Sequence, residues 1–301
     1  METFWRFWRN ARNWVCWPDI RGETRFIIVM GMTGSGKTTF ISQLTDQKAE
    51  IRVGHSLASS TAETSRYRVS GLKGEDIYLV DTPGFDDTKQ SDLDILRTIT
   101  DELAQLWHFK KCLVGVIFLH RITDVRLTSS AVKNMTVLQK LCGSENYGRI
   151  ALATTMWKMA PGEEEEEAAE QRQNELEEYW KEMFGERSLI MRHKANTRES
   201  ALEVVQGLRG RVQDTDTQRS LQIQRELCDE ERKLEDTDAG HYVHFGLLKP
   251  VEQREMAELQ KKIKDEGTRL GETELEAKKS EVRPGLKVQE FAGKEKARAG
   301  A

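Results

Sequence analysis

The chain predicts a three-layer α/β fold built on a mainly parallel sheet, followed by an α-helical C-terminal extension. Three observations carry that expectation. Short apolar runs alternate with longer stretches of helical spacing from residue 25 to about residue 210. The first apolar run leads straight into a glycine-rich loop and then a helix. Beyond Gly210 strand-like runs cease and charged residues dominate.

Taken in order, Phe26-Ile27-Ile28-Val29-Met30 is a strand apolar on both faces, as in a sheet covered on both sides. A helix through Phe40, Ile41 and Leu44 follows the loop. Ile77-Tyr78-Leu79-Val80 is the next buried strand. Ser91 to Phe109 has helical spacing in Leu93, Leu96, Ile99, Leu103 and Leu106. Cys112 to Leu119 is the strongest strand, Thr128 to Leu141 a helix, and Ile150 to Ala153 a strand. Glu163 to Phe184 reads as a helix whose first turn of glutamates suits the positive end of its dipole. The Glu163–Glu167 run is thus a solvated helix start rather than an acidic binding tract. Leu189 to Met191 and Ser200 to Leu208 close the domain as strand and helix.

The expected organisation is an aromatic and basic arm over 1–21, a domain over 22–210, a helical extension over 211–283 and a disordered tail over 284–301. In the arm, four of the protein's seven tryptophans lie among Arg6, Arg9 and Arg12. Such a segment either packs on the domain or a partner, or lies at a membrane surface with its rings at headgroup level. In the extension Leu227 and Leu234, then Met256, Leu259, Ile263 and Leu270, fall at heptad-like intervals, which suits a short coiled coil or a fold-back onto the domain.

Composition narrows the function. At 38% hydrophobic, 32% charged and a mean hydropathy of -0.64, the chain spends part of its length on solvated helix. A net charge of -4 argues against nucleic acid as an electrostatic partner. Cys16, Cys112, Cys142 and Cys228 have neither metal-ligand nor redox spacing, and no apolar run spans a bilayer or forms a leader. The expected location is the cytosol, with peripheral membrane contact through residues 1–21 as the alternative.

Gly31 to Thr38 reads GMTGSGKT and fits G-x-x-x-x-G-K-[ST] at every position, between a strand and a helix. The glycines let backbone N–H groups turn onto phosphate oxygens, and the helix N-terminus adds its dipole. Gly31, Thr33, Gly34, Ser35, Gly36, Lys37, Thr38 and Thr39 are therefore the candidate phosphate-binding residues. Lys37 brings a point charge to the β- and γ-phosphates, and Thr38 a hydroxyl to Mg²⁺. Asp81-Thr82-Pro83-Gly84 directly follows a buried strand. Asp81 is placed to hold a water of the Mg²⁺ shell, and Gly84 to bring its amide to a γ-phosphate. In the polar stretch from Gly54 to Thr64, Thr61 is the candidate to close on Mg²⁺ and the γ-phosphate, with Ser60 and Thr64 as rivals.

Together GMTGSGKT, GHSLASSTAE (Gly54 to Glu63), DTPGFDD (Asp81 to Asp87), Phe118 to Gly143 and ATTMW (Ala153 to Trp157) resemble the septin-like and GIMAP-related branch of the TRAFAC GTPases, fungal members above all. The resemblance covers about residues 25–210. It implies a six-stranded G domain that binds GTP or GDP with Mg²⁺. It also implies Lys37 on phosphate, Thr38 and Thr61 toward the metal, Asp81 and Gly84 in a second switch, and homodimers or oligomers.

Two positions depart from the G-domain pattern. Where N-K-x-D is expected, the chain reads Thr154-Thr155-Met156-Trp157-Lys158. A lysine donates but cannot accept, so Lys158 cannot copy the aspartate's contacts to guanine. Thr155 and Trp157 are the remaining candidates, Trp157 by stacking on the base. After Gly84 stands Phe85, which cannot orient an attacking water. Lys37, Thr61 and Gly84 are then the candidate catalytic groups. His120 and Arg121 either reach a nucleotide across a dimer interface or cap the end of their strand. The expected function is a slowly hydrolysing GTP switch that dimerises through its nucleotide face, against a scaffold in which GTP is structural or a P-loop protein with relaxed base specificity. An ATP-using kinase needs an arginine-bearing lid over the phosphates, and no such segment follows the fourth strand.

Overall fold

A computed structural model describes residues 24–46, 64–72, 76–85, 90–159 and 162–245. The aromatic arm, Ser60, Thr61, the Asp86-Asp87 pair, the Met256–Leu270 heptads and the 284–301 tail lie outside these residues.

The chain forms β1 (Arg25–Gly31), α1 (Lys37–Leu44), β2 (Ser65–Arg68), β3 (Ile77–Asp81), α2 (Asp92–His108), β4 (Cys112–Arg121), α3 (Ser129–Cys142), β5 (Ile150–Thr155), α4 (Glu163–Phe184), β6 (Leu189–Arg192) and α5 (Arg198–Arg211). The six strands make one sheet in the order β2-β3-β1-β4-β5-β6. All neighbours are parallel except the edge pair β2 and β3, which runs antiparallel. β2, Ser-Arg-Tyr-Arg, has no apolar run and was not among the strands expected by pattern.

The order of strands decides the layers. Parallel crossovers are right-handed, so the β3–β4, β4–β5 and β5–β6 connections put α2, α3 and α4 on one face, and α1 returns on the other. On the α1 face, Ile27, Val29, Ile117, Leu119, Ala151 and Ala153 pack with Phe40, Ile41 and Leu44 of α1 and Val204, Val205 and Leu208 of α5. On the opposite face, Phe118 packs on Trp180 of α4, ring centroids 6.0 Å apart.

Helix ends follow from local chemistry. The Ser91 hydroxyl accepts from the Asp94 N–H at 3.2 Å, with Asp92 and Asp94 in the first turn of α2. Thr128 caps α3 in the same way through the Ala131 N–H at 3.2 Å, and Thr197 caps α5. Gly143, at φ 77°, ends α3.

After α5 the chain turns back. Short helices α6 (Asp214–Thr217) and α7 (Gln222–Gln224), the latter continuing as a π-turn through Asp229, bury Leu221, Ile223 and Leu227. The Gln224 amide donates to the Leu103 carbonyl of α2 at 2.8 Å, and the Asn146 amide to the Ser220 carbonyl at 3.0 Å. Arg149 is 4% exposed and bonds the carbonyls of Leu113, Val114 and Arg219 and the Asn146 side chain. Leu227, the first of the heptad leucines, thus serves a fold-back onto the domain. A last helix, α8, spans Asp238–Phe245. One compact unit ends at His241; of the next, beginning at Tyr242, only Tyr242–Phe245 are described. Among the described residues no helix is long and apolar enough to cross a membrane.

Candidate nucleotide-binding site

The loop between β1 and α1 has the backbone its glycines permit. Gly34 and Gly36 lie at φ 79° and 90°, the left-handed region that suits glycine, and Gly36 is the N-cap of α1. Lys37 is buried, and its Nζ donates to the Gly31 and Met32 carbonyls, each at 3.0 Å. Its charge is thereby held inside the curve of the loop. Thr39 lies in the first turn of α1 and its carbonyl accepts from Ser42 at 2.7 Å. The Ser35 hydroxyl is buried without a hydrogen-bond partner among the described residues.

Asp81 ends β3 and is 2% exposed, and the Thr38 hydroxyl donates to its Oδ2 at 3.0 Å. A hydroxyl and a carboxylate side by side at the mouth of a phosphate loop are hard oxygen donors. Few in number, they suit Mg²⁺, which keeps several waters and takes its other oxygens from phosphates. Among the described residues no group of three or more His, Cys, Asp or Glu forms a self-sufficient metal site.

The segment after Asp81 lies directly on the loop. The Thr82 hydroxyl donates to the Val29 carbonyl at 2.8 Å. The Thr33 N–H donates to the Phe85 carbonyl at 3.1 Å, in a parallel bridge between Met32 and Phe85. The Thr33 hydroxyl is 3.3 Å from the carbonyls of both Gly84 and Phe85. A Cβ on Gly84 would come within 2.6 Å of the Thr33 nitrogen and 2.8 Å of Lys37 Nζ, so only glycine fits here. Phe85 itself is 1% exposed, a core side chain rather than a group facing solvent. The motifs mark Gly84 and Thr33 separately, and nothing in their local pattern signals this ladder between them.

The other flank is formed by β4 and β5. The Thr155 hydroxyl donates to the Ser35 carbonyl at 2.9 Å and lies 3.3 Å from the His120 carbonyl, so Thr155 ties the end of β5 to the loop. Trp157 is 8% exposed and packs with Ile122 and Ala169. Its Nε1 donates to Thr154, and Lys194 Nζ sits 4.7 Å above its ring. No described contact joins Trp157 to the phosphate loop, whereas Thr155 is joined to it. Lys158 is exposed. His120 is 6% exposed, and burial pushes its imidazole below the ordinary value. It is therefore enclosed in its own protomer, while Arg121 beside it lies at the rim against Gly34.

Residues 26–140 match the family described as MMR_HSR1, 50S ribosome-binding GTPase. No curated protein matches the chain. Among solved structures, Toc33 from Arabidopsis thaliana in complex with GDP and Mg²⁺ is similar at 16% identity, over 64% of this chain and 74% of that one, with a TM-score of 0.44. Era from Aquifex aeolicus bound to GDP and AlF4⁻ is similar at 13% identity, over 64% of this chain and 58% of that one, with a TM-score of 0.45. The family match over residues 26–140, the loop wrapped on Lys37, the Thr38–Asp81 pair and the six-stranded sheet in this order give the chain the fold of a P-loop G domain.

Proposed function

We propose that the chain is a GTP-binding switch protein whose slow, Mg²⁺-dependent hydrolysis sets the lifetime of its active state. The observation that carries this reading is the convergence of Thr38, Asp81, Lys37 and Gly84 on one loop. Thr38 bonds Asp81, Lys37 Nζ bonds the Gly31 carbonyl of the loop, and the Gly84 segment that would sense a γ-phosphate packs against Thr33 and Lys37 Nζ. In this reading Lys37 and the loop amides hold the β- and γ-phosphates, Thr38 and Asp81 position Mg²⁺ and its waters, and Gly84 exchanges its packing on Thr33 for a phosphate contact. Thr61, outside the described residues, is the proposed second threonine on the metal. The motifs that resemble the septin-like, GIMAP-related branch support membership of it as part of this proposal, with dimers formed through the nucleotide face. The 1–21 arm is proposed to pack on the domain or a partner, with a membrane surface as the alternative.

A second reading, a nucleotide-dependent scaffold with negligible turnover, draws on Phe85. Its buried ring fills the position where a water-orienting side chain would be needed. Titration with ribose-labelled GTP and ATP in Mg²⁺, with phosphate release followed in the same samples and Lys37→Ala as control, tests both. GTP binding lost in the mutant with measurable release supports the switch. Binding without release supports the scaffold, and no binding by the unmodified chain refutes both.

A further inference from the structure

Arg121 puts a second cation against the phosphate loop. It is the last residue of β4 and pairs in register with Thr155 of β5, the residue that holds the Ser35 carbonyl. It therefore stands at the flank of the loop opposite Gly84 and Phe85, which contact Thr33. On the nucleotide-binding reading, phosphate sensing falls to the Gly84 flank, which leaves the Thr155 flank for the nucleoside. Arg121 Nη1 lies 3.5 Å from the place a Cβ would occupy on Gly34. In a loop whose N–H groups turn inward, that position points out of the phosphate cradle, so the guanidinium sits beside the cradle rather than in it.

The group is also preorganised. Asp124 takes Nε at 3.2 Å and Nη2 at 3.0 Å, fixing the plane of the fork, while Nη1 makes no hydrogen bond among the described residues. About a third of the side chain, 32%, is open to solvent. The other candidates for a base contact are committed elsewhere. Trp157 is buried under Lys194, and Lys158 is exposed and cannot accept from a base.

We propose that Arg121 is the base-face contact of this site: its guanidinium plane stacks on the purine of the nucleotide held by the loop. The inference rests on the nucleotide-binding reading above and extends it to the choice of base. A planar cation stacks on any purine face and reads no edge, so guanine and adenine are held alike.

The test is displacement of ribose-labelled GTP from the full chain, in Mg²⁺, by GTP, ATP and inorganic tripolyphosphate. The unmodified protein is compared with Arg121→Ala and Arg121→Lys, with melting curves run alongside. Arg121→Ala is expected to weaken GTP and ATP alike by about tenfold, the order of a desolvated cation–π contact. Tripolyphosphate, which has no base, keeps its affinity, and Arg121→Lys recovers part of the loss. An equal loss for tripolyphosphate overturns the proposal in favour of a role in loop shape or phosphate charge. A loss for GTP alone overturns it in favour of an edge reader, and no loss at all places the base elsewhere. If the unmodified chain binds no labelled nucleotide, the nucleotide reading itself fails, an outcome distinct from the other three.

Discussion

Gly84→Ala adds a single methyl group where the second switch crosses the phosphate loop. The added Cβ would stand 2.6 Å from the Thr33 nitrogen and 2.8 Å from both Thr33 Cα and Lys37 Nζ. Lys37 Nζ is the end of a flexible side chain, but Thr33 presents backbone, which does not yield cheaply. The segment must withdraw by roughly 1 Å to reach ordinary van der Waals contact. At that separation the 3.1 Å bond from Thr33 N–H to the Phe85 carbonyl is broken. Overpacking of this kind costs about 1–3 kcal/mol, and the lost bond adds about 1 kcal/mol. For a domain of this size the nucleotide-free melting temperature should fall by roughly 5–15 °C. In fluorescence titrations the same variant should bind labelled GDP nearly as well as the unmodified protein. A non-hydrolysable GTP analogue should weaken by about tenfold, because only the γ-phosphate needs the Gly84 amide close by. An unchanged melting temperature would refute the packing argument, and equal weakening of GDP and analogue would refute the sensing role.

Lys37→Ala should lower nucleotide affinity by about a hundredfold, since a charge-assisted contact to phosphate is worth about 1.5–3 kcal/mol; fluorescence titration measures it. The Arg66–Glu102 pair, with both contacts at 2.7 Å and Glu102 3% exposed, ties β2 to α2. Glu102→Leu alone should cost about 3–5 kcal/mol in urea unfolding, and adding Arg66→Met should restore most of it. Burial holds the imidazoles of His120 and His193 below the ordinary value of 6.5. Below that pH the unfolded chain binds protons the native one does not, so stability should fall as pH drops from about 6.5 through the native values. Replacing both histidines with Asn should flatten that limb of a pH series of melts. Desolvation pushes the Asp101 carboxyl up to about 6, the opposite sign: its contribution is intact below 3.8 and lost as pH rises through 6. Asp101→Asn should therefore stabilise the protein at pH 7 by roughly 1–3 kcal/mol.

What could be read in the sequence was what a local pattern specifies. Phe26–Met30 is apolar at every position because β1 is the third of six strands, covered on both faces, and the loop motif needs only its own glycines, lysine and threonine. β2 was invisible because an edge strand needs no apolar face: Tyr67 packs against the core while Arg66 and Arg68 seek carboxylates on α2 and at Asp76. The candidate site divides along the same line. The juxtaposition of Lys37, Thr38 and Asp81 was legible because their positions are fixed within a few residues of a recognisable strand end. Trp157 is a candidate for the base, beside Thr155, because an aromatic ring at that position is suited to stacking. Its burial depends on Ile122, Ala169 and Lys194, each supplied by a different segment. His120 and Arg121 were inseparable by sequence; the alternation of side chains along β4 encloses the first and leaves the second at the rim.

Arg149 imposes an order of events on synthesis. Its guanidinium needs the carbonyls of Leu113 and Val114, which precede it, and that of Arg219, which leaves the ribosome 70 residues after it. Until then a nascent domain with all six strands emerged still carries Arg149 short of one acceptor, beside apolar surface that Leu221 and Ile223 later cover. The sheet can assemble early, but the last step of its maturation waits for the returning segment. A nascent chain stalled before residue 219 should stay open to proteases and to chaperones that hold incomplete domains, and one released beyond it should not.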